Sequence, residues 1–186
     1  VNGLVAQILY AARDPFSRRI IVDKGQQHSV TPGQPVIDEQ GVVGQVTRVF
    51  PFVSEITLIS DKDQSVPIQI VRNGLRSVLF GLGNGQLELR FMPANADVQN
   101  GDLLVTSGLD GVFLSGLPVA RVTHIERDTS YSFARIICEP VAGVENFSEV
   151  MVLAARTPEA LPAEALTPRA KQPGKSGIKK KRLKRE

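Results

Sequence analysis

The sequence predicts an all-β chain, two small tandem β-barrels of the six-stranded type followed by a disordered basic C-terminal tail. Three observations predict it. Turn signals recur about every ten residues between residues 20 and 155, the segments between them alternate apolar and polar with period two, and two stretches of the chain repeat each other. The 16 Gly and 12 Pro interrupt the chain so often that no long amphipathic helix fits before the last thirty residues.

The turns come first. They are Asp23-Lys24-Gly25, Pro32-Gly33, Gln40-Gly41, Asp61-Lys62-Asp63, Asn73-Gly74, Asn84-Gly85, Asn100-Gly101 and Asp110-Gly111. Asn73-Gly74 and Asn84-Gly85 supply the positive φ of tight hairpins, which predicts a meander of Val66–Arg72, Arg76–Phe80 and Gln86–Phe91. Within the last of these, Leu87, Leu89 and Phe91 share one face and are expected in the core, opposite Gln86, Glu88 and Arg90. Pro67 lacks a ladder donor and predicts an edge position for its strand.

The repeat pairs Val30–Gln34 with Val98–Asp102 and Val42–Val49 with Pro118–Ile125, the second copy carrying extra residues from about Asp110 to Pro118. It predicts a first barrel over residues 1–72 and a second over 73–156, with an exchange of terminal strands between them left open. Residues 157–186 form the tail, broken by Pro158, Pro162, Pro168 and Pro173 and ending in a basic run.

Charge follows the same division. The tail has nine Lys or Arg against three Glu, leaving 13 basic and 16 acidic residues in 1–156, so the basic character belongs to the tail and not to the globular part. A nucleic-acid-binding barrel with a basic arm would need aromatic and basic residues interleaved on its strands, and the mildly acidic body argues against it. The lone Cys138, inside an apolar run, is expected as a core thiol and supports neither a disulfide framework nor a thiolate metal site. No apolar run is long enough to span a bilayer. The chain begins at Val1 without a signal pattern and is read as a fragment or processed form, with any anchor upstream.

Catalytic chemistry has little to stand on. His28, Asp61 or Asp63, and Ser107 fall in the chain order of one serine-protease type, but His28 lies in a polar turn, and Thr106 and Ser107 are expected to bond turn backbone. His28 and His124 have no second ligand at metal spacing, and Gly81–Gly85 lacks the helix and Lys-Ser/Thr pair of a phosphate loop. No catalytic, cofactor or metal residue is assigned.

Taken together, several ordered blocks resemble the MreC family of rod-shape-determining proteins. They are Asp23-Lys24-Gly25 followed by Val30-Thr31-Pro32-Gly33-Gln34-Pro35-Val36 and Gly41-Val42-Val43-Gly44-Gln45-Val46, then Ser54–Asp61, then Gly101-Asp102-Leu103-Leu104-Val105-Thr106-Ser107-Gly108 with Gly116-Leu117-Pro118-Val119. The resemblance spans about residues 3–155; Leu114 stands where the family often has Pro, and Ala120 where it often has Gly. It implies a non-enzymatic scaffold of cell-wall elongation, periplasmic and tethered to the inner membrane by a helix upstream of this chain. It also implies self-association and binding of the elongation transpeptidase of the penicillin-binding protein class, alongside MreD, RodA, RodZ and the MreB system. A periplasmic membrane-fusion-type adaptor shares one barrel turn but would need a long helical hairpin that is absent here.

For such work Gly25, Gly33, Gly41, Gly44, Gly101, Gly108 and Gly116, with Asp102, Thr106 and Ser107, are expected to build structural turns. Partner contact is expected at Phe50 and Phe52, and at Val112, Phe113 and Leu114 in the extra loop, with capping of the barrel ends as the competing role. Serine at both 113 and 114 is expected to weaken binding and spare folding. Lys179, Lys180, Lys181, Arg182, Lys184 and Arg185 are candidates for contact with anionic lipid.

Overall fold

The computed structural model describes residues 2–12, 14–128, 130–143 and 148–155, so the basic residues assigned to a lipid contact lie outside the described residues. The strands are β1 (Gly3–Ala11), β2 (Arg19–Val22), β3 (Pro35–Ile37), β4 (Val42–Val49), β5 (Ser54–Leu58), β6 (Ser65–Ile70), β7 (Arg76–Gly81), β8 (Leu87–Arg90), β9 (Leu103–Thr106), β10 (Pro118–Glu126), β11 (Arg135–Pro140) and β12 (Glu149–Leu153). A 3₁₀ turn, Gln26–His28, follows β2. All ladders are antiparallel, and they close two barrels, β1-β12-β3-β4-β5-β2 and β10-β11-β8-β7-β6-β9.

Closure settles what local pattern left open. The strand Val66–Arg72 was expected in the first barrel, but β5 is already flanked by β4 and β2, while β6 pairs with β7 and β9. The boundary therefore lies between Leu58 and Ser65 and not at residue 72, and β12 crosses back to pair with β1 and β3. Closure also corrects the edge position expected from Pro67, since both sides of β6 are paired. The Pro67 carbonyl accepts from the Ser107 N–H at 3.0 Å, on the side where the missing proline N–H would point, just past the last β6–β9 pair at Ile68 and Thr106.

The internal repeat is structural. The Gly33 N–H donates to the Val46 carbonyl at 2.8 Å and the Val46 N–H to the Gln34 carbonyl at 2.9 Å. In the second barrel Gly101 donates to Val122 at 2.8 Å and Val122 to Asp102 at 3.0 Å. Gly33 and Gly101 share φ near +90°, a left-handed conformation in which glycine carries no Cβ penalty. The ladder slips at Val46/Arg48 in one barrel and at Val122/His124 in the other, so both copies hold the same bulge.

Each barrel encloses an apolar core: Val22, Val36, Val46, Ile56 and Val152 among others in the first, Ile68, Ile70, Leu79, Leu89, Leu104 and Ile136 in the second. Val42 and Ile59, from the first-barrel half of the chain, are buried in the second cluster, so the second core reaches across the junction. Polar bonds close around them. Arg18 donates its N–H to the Asp61 carboxylate at 2.7 Å and its Nε–H to the Gly83 carbonyl at 3.3 Å, and the Gly83 N–H reaches the Ser60 carbonyl at 2.8 Å. A Cβ at Gly41 would press against the Pro118 carbonyl and the Val141 side chain, so glycine there permits the close approach.

Candidate partner-binding surface

The β4–β5 hairpin turns at Pro51-Phe52, with the Phe50 N–H donating to the Val53 carbonyl at 2.9 Å. Its tip is held from below. Gln26 N–H donates to the Phe50 carbonyl at 2.8 Å and Gln27 N–H to the Pro51 carbonyl at 3.0 Å, both from the 3₁₀ turn. Gly25 lets that turn approach, since a Cβ there would meet the backbone of Phe50, Phe52 and Val53. With its carbonyls satisfied, the tip presents Phe50 (45% exposed) and Phe52 (67%) to solvent on fixed backbone.

The second expected cluster divides. Asp110 accepts at one carboxylate oxygen from the N–H groups of Val112 and Phe113, at 3.0 and 3.3 Å, an Asx-type turn that reverses the chain. The reversal drives Phe113 into the second core, 3% exposed, with Val112 packed partly against it. Phe113 is thus a core residue, which corrects its assignment as a partner contact; Leu114 stays on the surface at 38%. Buried Thr106 pins the loop's return, its hydroxyl donating to the Leu114 carbonyl and accepting from the Leu117 N–H at 2.9 Å.

A third apolar surface escaped the sequence reading. Phe91, expected on the core face with Leu87 and Leu89, has φ +64° and is 66% exposed, because β8 stops at Arg90 and the left-handed residue ends the alternation. Such a conformation costs a bulky residue about 1–3 kcal/mol. The Phe91 ring stands edge-on to Phe80 and Phe133, with centroids 6.2 and 6.3 Å apart. With Tyr131 and Ala134, Phe91 and Phe133 line an open groove of about 820 Å³. Its only sequence signal is the end of the alternation at Met92-Pro93.

The charged groups serve the frame. Arg72 bridges Asp102 (Nε, 2.8 Å) and Asp97 (Nη1, 2.7 Å), tying the end of β6 to the turn before β9. Its guanidinium holds both carboxyls below the usual carboxylate range. Cys138 is buried, and desolvation pushes its thiol up to about 12.

The three residues in protease order all accept from backbone N–H groups. His28 Nδ1 accepts from the Gly25 N–H at 3.1 Å, Asp61 accepts from the N–H groups of Arg18 and Asp63, and the Ser107 hydroxyl faces the Leu109 N–H. Among the described residues no three His, Cys, Asp or Glu side chains group as metal ligands, and no helix is long and apolar enough to cross a membrane.

Known proteins share this sequence pattern and fold. The family description "Rod shape-determining protein MreC, barrel core" matches residues 8–154. The cell shape-determining protein MreC of Escherichia coli K12 is 40% identical over 151 residues, 81% of this chain and 41% of that protein; that of Haemophilus influenzae is 40% identical over 150, covering 80% and 43%. The chain thus spans about two fifths of the length of these relatives. The crystal structure of MreC from Pseudomonas aeruginosa superposes with a TM-score of 0.81 at 39% identity, covering 83% of this chain and all of that one. A complex between the penicillin-binding protein PBP2 and MreC from Helicobacter pylori shares the fold, with a TM-score of 0.62 at 16% identity. A family match along residues 8–154, with relatives 40% identical over about four fifths of the chain and a fold shared with a solved MreC structure, places this chain in the MreC family.

Proposed function

We propose that this chain is the periplasmic platform of a cell-wall elongation scaffold. It holds the elongation transpeptidase, and further copies of itself, in fixed orientation without transforming either. The observation that carries the reading is the hairpin tip: two exposed phenylalanines on backbone clamped by the N–H groups of Gln26 and Gln27. Rigid aromatic anchors lose little entropy on binding and supply about 2 kcal/mol or more each when they fill a pocket. Leu114 and partly buried Val112 form a second, smaller contact. The Helicobacter pylori complex supports a transpeptidase as partner, since the MreC in it shares this fold.

The wider assembly, MreD, RodA, RodZ and MreB, is reached through the complex or through segments upstream of this chain, with a membrane helix there providing the inner-membrane tether. The run Lys179–Arg185 is a contact for anionic lipid, worth about 1 kcal/mol per basic residue near a charged surface. Liposome co-sedimentation with and without residues 171–186 tests it. For the main reading, biolayer interferometry against the transpeptidase's periplasmic part, with sedimentation velocity for self-association, is the experiment. Saturable transpeptidase binding is expected; its absence from a folded chain removes the proposal.

A further inference from the structure

The two exposed aromatic surfaces lie at opposite outer ends of the molecule. In the first barrel β4 starts beside the junction, where Gly41 meets Pro118, and runs out to the hairpin tip, where Val49 pairs with Ser54. In the second, the Gly83 N–H reaches Ser60 at the junction, Leu87 pairs with Gly81 close by, and β8 runs outward to Arg90 and the groove. The groove's Tyr131 and Phe133 belong to the connection from β10 to β11, and the internal repeat equates β10 with β4. Tip and groove wall are therefore the same hairpin position in the two copies of the repeat. Within one chain the junction holds them apart, so only a second chain can bring one to the other.

The two surfaces match in chemistry. Along the groove the charges are already engaged: Arg90 pairs with Glu88 at 3.2 Å, and Arg135 sits 4.0 Å from Glu88 and 3.9 Å from Glu126. Arg127 spends its guanidinium on the carbonyls of Ala94, Ala96 and Val98. A groove so neutralised has nothing left to pair with a charged occupant and favours an apolar one. The tip, Phe50-Pro51-Phe52-Val53, carries no charge, and the carbonyls of Phe50, Pro51 and Val53 are already bonded, so it offers rings with little polar backbone to desolvate. Phe91 and Phe133, already edge-on to each other, present incoming rings with the same edge-to-face contacts.

We infer that the groove takes the hairpin tip of a second copy of this chain, with Phe50 and Phe52 entering beside Phe91 and Phe133. This pairing rests on the self-association proposed above and gives it its surfaces. Because the two surfaces differ, the contact is heterologous: each added copy keeps a free tip at one end or a free groove at the other, and copies join head to tail without closing as a twofold pair. Two phenylalanine rings bury about 150–250 Å² each, so with the matching groove surface the contact totals roughly 600–1,000 Å². That is under the roughly 1,200–2,000 Å² of a stable standard interface, so the association is weak and grows with protein concentration.

The test is sedimentation velocity on the full chain, on F50S/F52S, on Y131S/F133S, and on an equimolar mixture of the two variants. All four side chains are exposed, so both variants keep the melting temperature of the parent. The parent is expected to sediment faster as its concentration rises, and each variant alone to stay monomeric. The mixture is expected to form dimers and nothing larger, because one variant supplies the only intact tip and the other the only intact groove. A mixture that stays monomeric, or either variant associating alone as the parent does, overturns the inference and leaves self-association to other surfaces. A parent that is monomeric at every concentration removes the self-association reading together with it, while transpeptidase binding, measured separately, is untouched.

Discussion

Replacing Phe113 by alanine separates the two roles that its loop could have had. The ring is 3% exposed and belongs to the second barrel's core, so its loss combines lost transfer energy with a cavity that closed strands relieve poorly. Buried Phe-to-Ala changes cost about 3–5 kcal/mol. For a chain of this length each kcal/mol lowers the melting temperature by about 2–4 °C, so a fall of roughly 10 °C is expected. Leu114→Ser, one residue on, removes an exposed side chain whose backbone carbonyl still accepts from Thr106, and its stability change stays within about 0.5 kcal/mol. Scanning calorimetry on both variants decides the matter. Serine at both positions therefore damages folding, contrary to what the sequence suggested. A Phe113→Ala variant that loses less than about 1 kcal/mol would refute the placement of this ring and the Asp110 turn that directs it.

Three further outcomes follow from the frame. Gly41→Ala inserts a methyl against the Pro118 carbonyl and Val141, overpacks the junction by about 1–3 kcal/mol, and is read by urea denaturation. Asp97 and Asp102 are held below the carboxylate range, so the unfolded chain binds more protons in acid. Their contribution is present above about pH 4 and is lost as pH falls through their folded-state values, and Arg72→Ala should flatten the acid limb of a melting-temperature profile. Cys138, its thiol pushed up to about 12, should resist a disulfide-exchange reagent at pH 8 in the native protein and react on unfolding.

Much of the fold was legible because its causes are local. Glycine at positive φ, period-two alternation and Val-x-x-Gly turns are written within a few residues, and the repeat doubled each signal. Ownership of β6 and β12 was not legible, because barrel closure depends on which distant edges remain unpaired. Phe113 and Phe91 failed for opposite reasons. A carboxylate three residues upstream turned one ring inward out of a surface loop, and a single left-handed residue turned the other outward from a strand. The hairpin tip was identified by its aromatic pair, but not its clamp, since nothing near Phe50 in sequence shows that Gly25 and the 3₁₀ turn lie beneath it.

On the proposed function, rigidly presented aromatic side chains are what this platform contributes to binding. The most direct measurement is the dissociation constant of the full chain for the elongation transpeptidase, with and without the paired change F50S/F52S. Two lost anchors of about 2 kcal/mol each weaken binding on the order of a thousandfold, with the melting temperature unchanged because both rings are exposed. Equal affinity of the two proteins would contradict it.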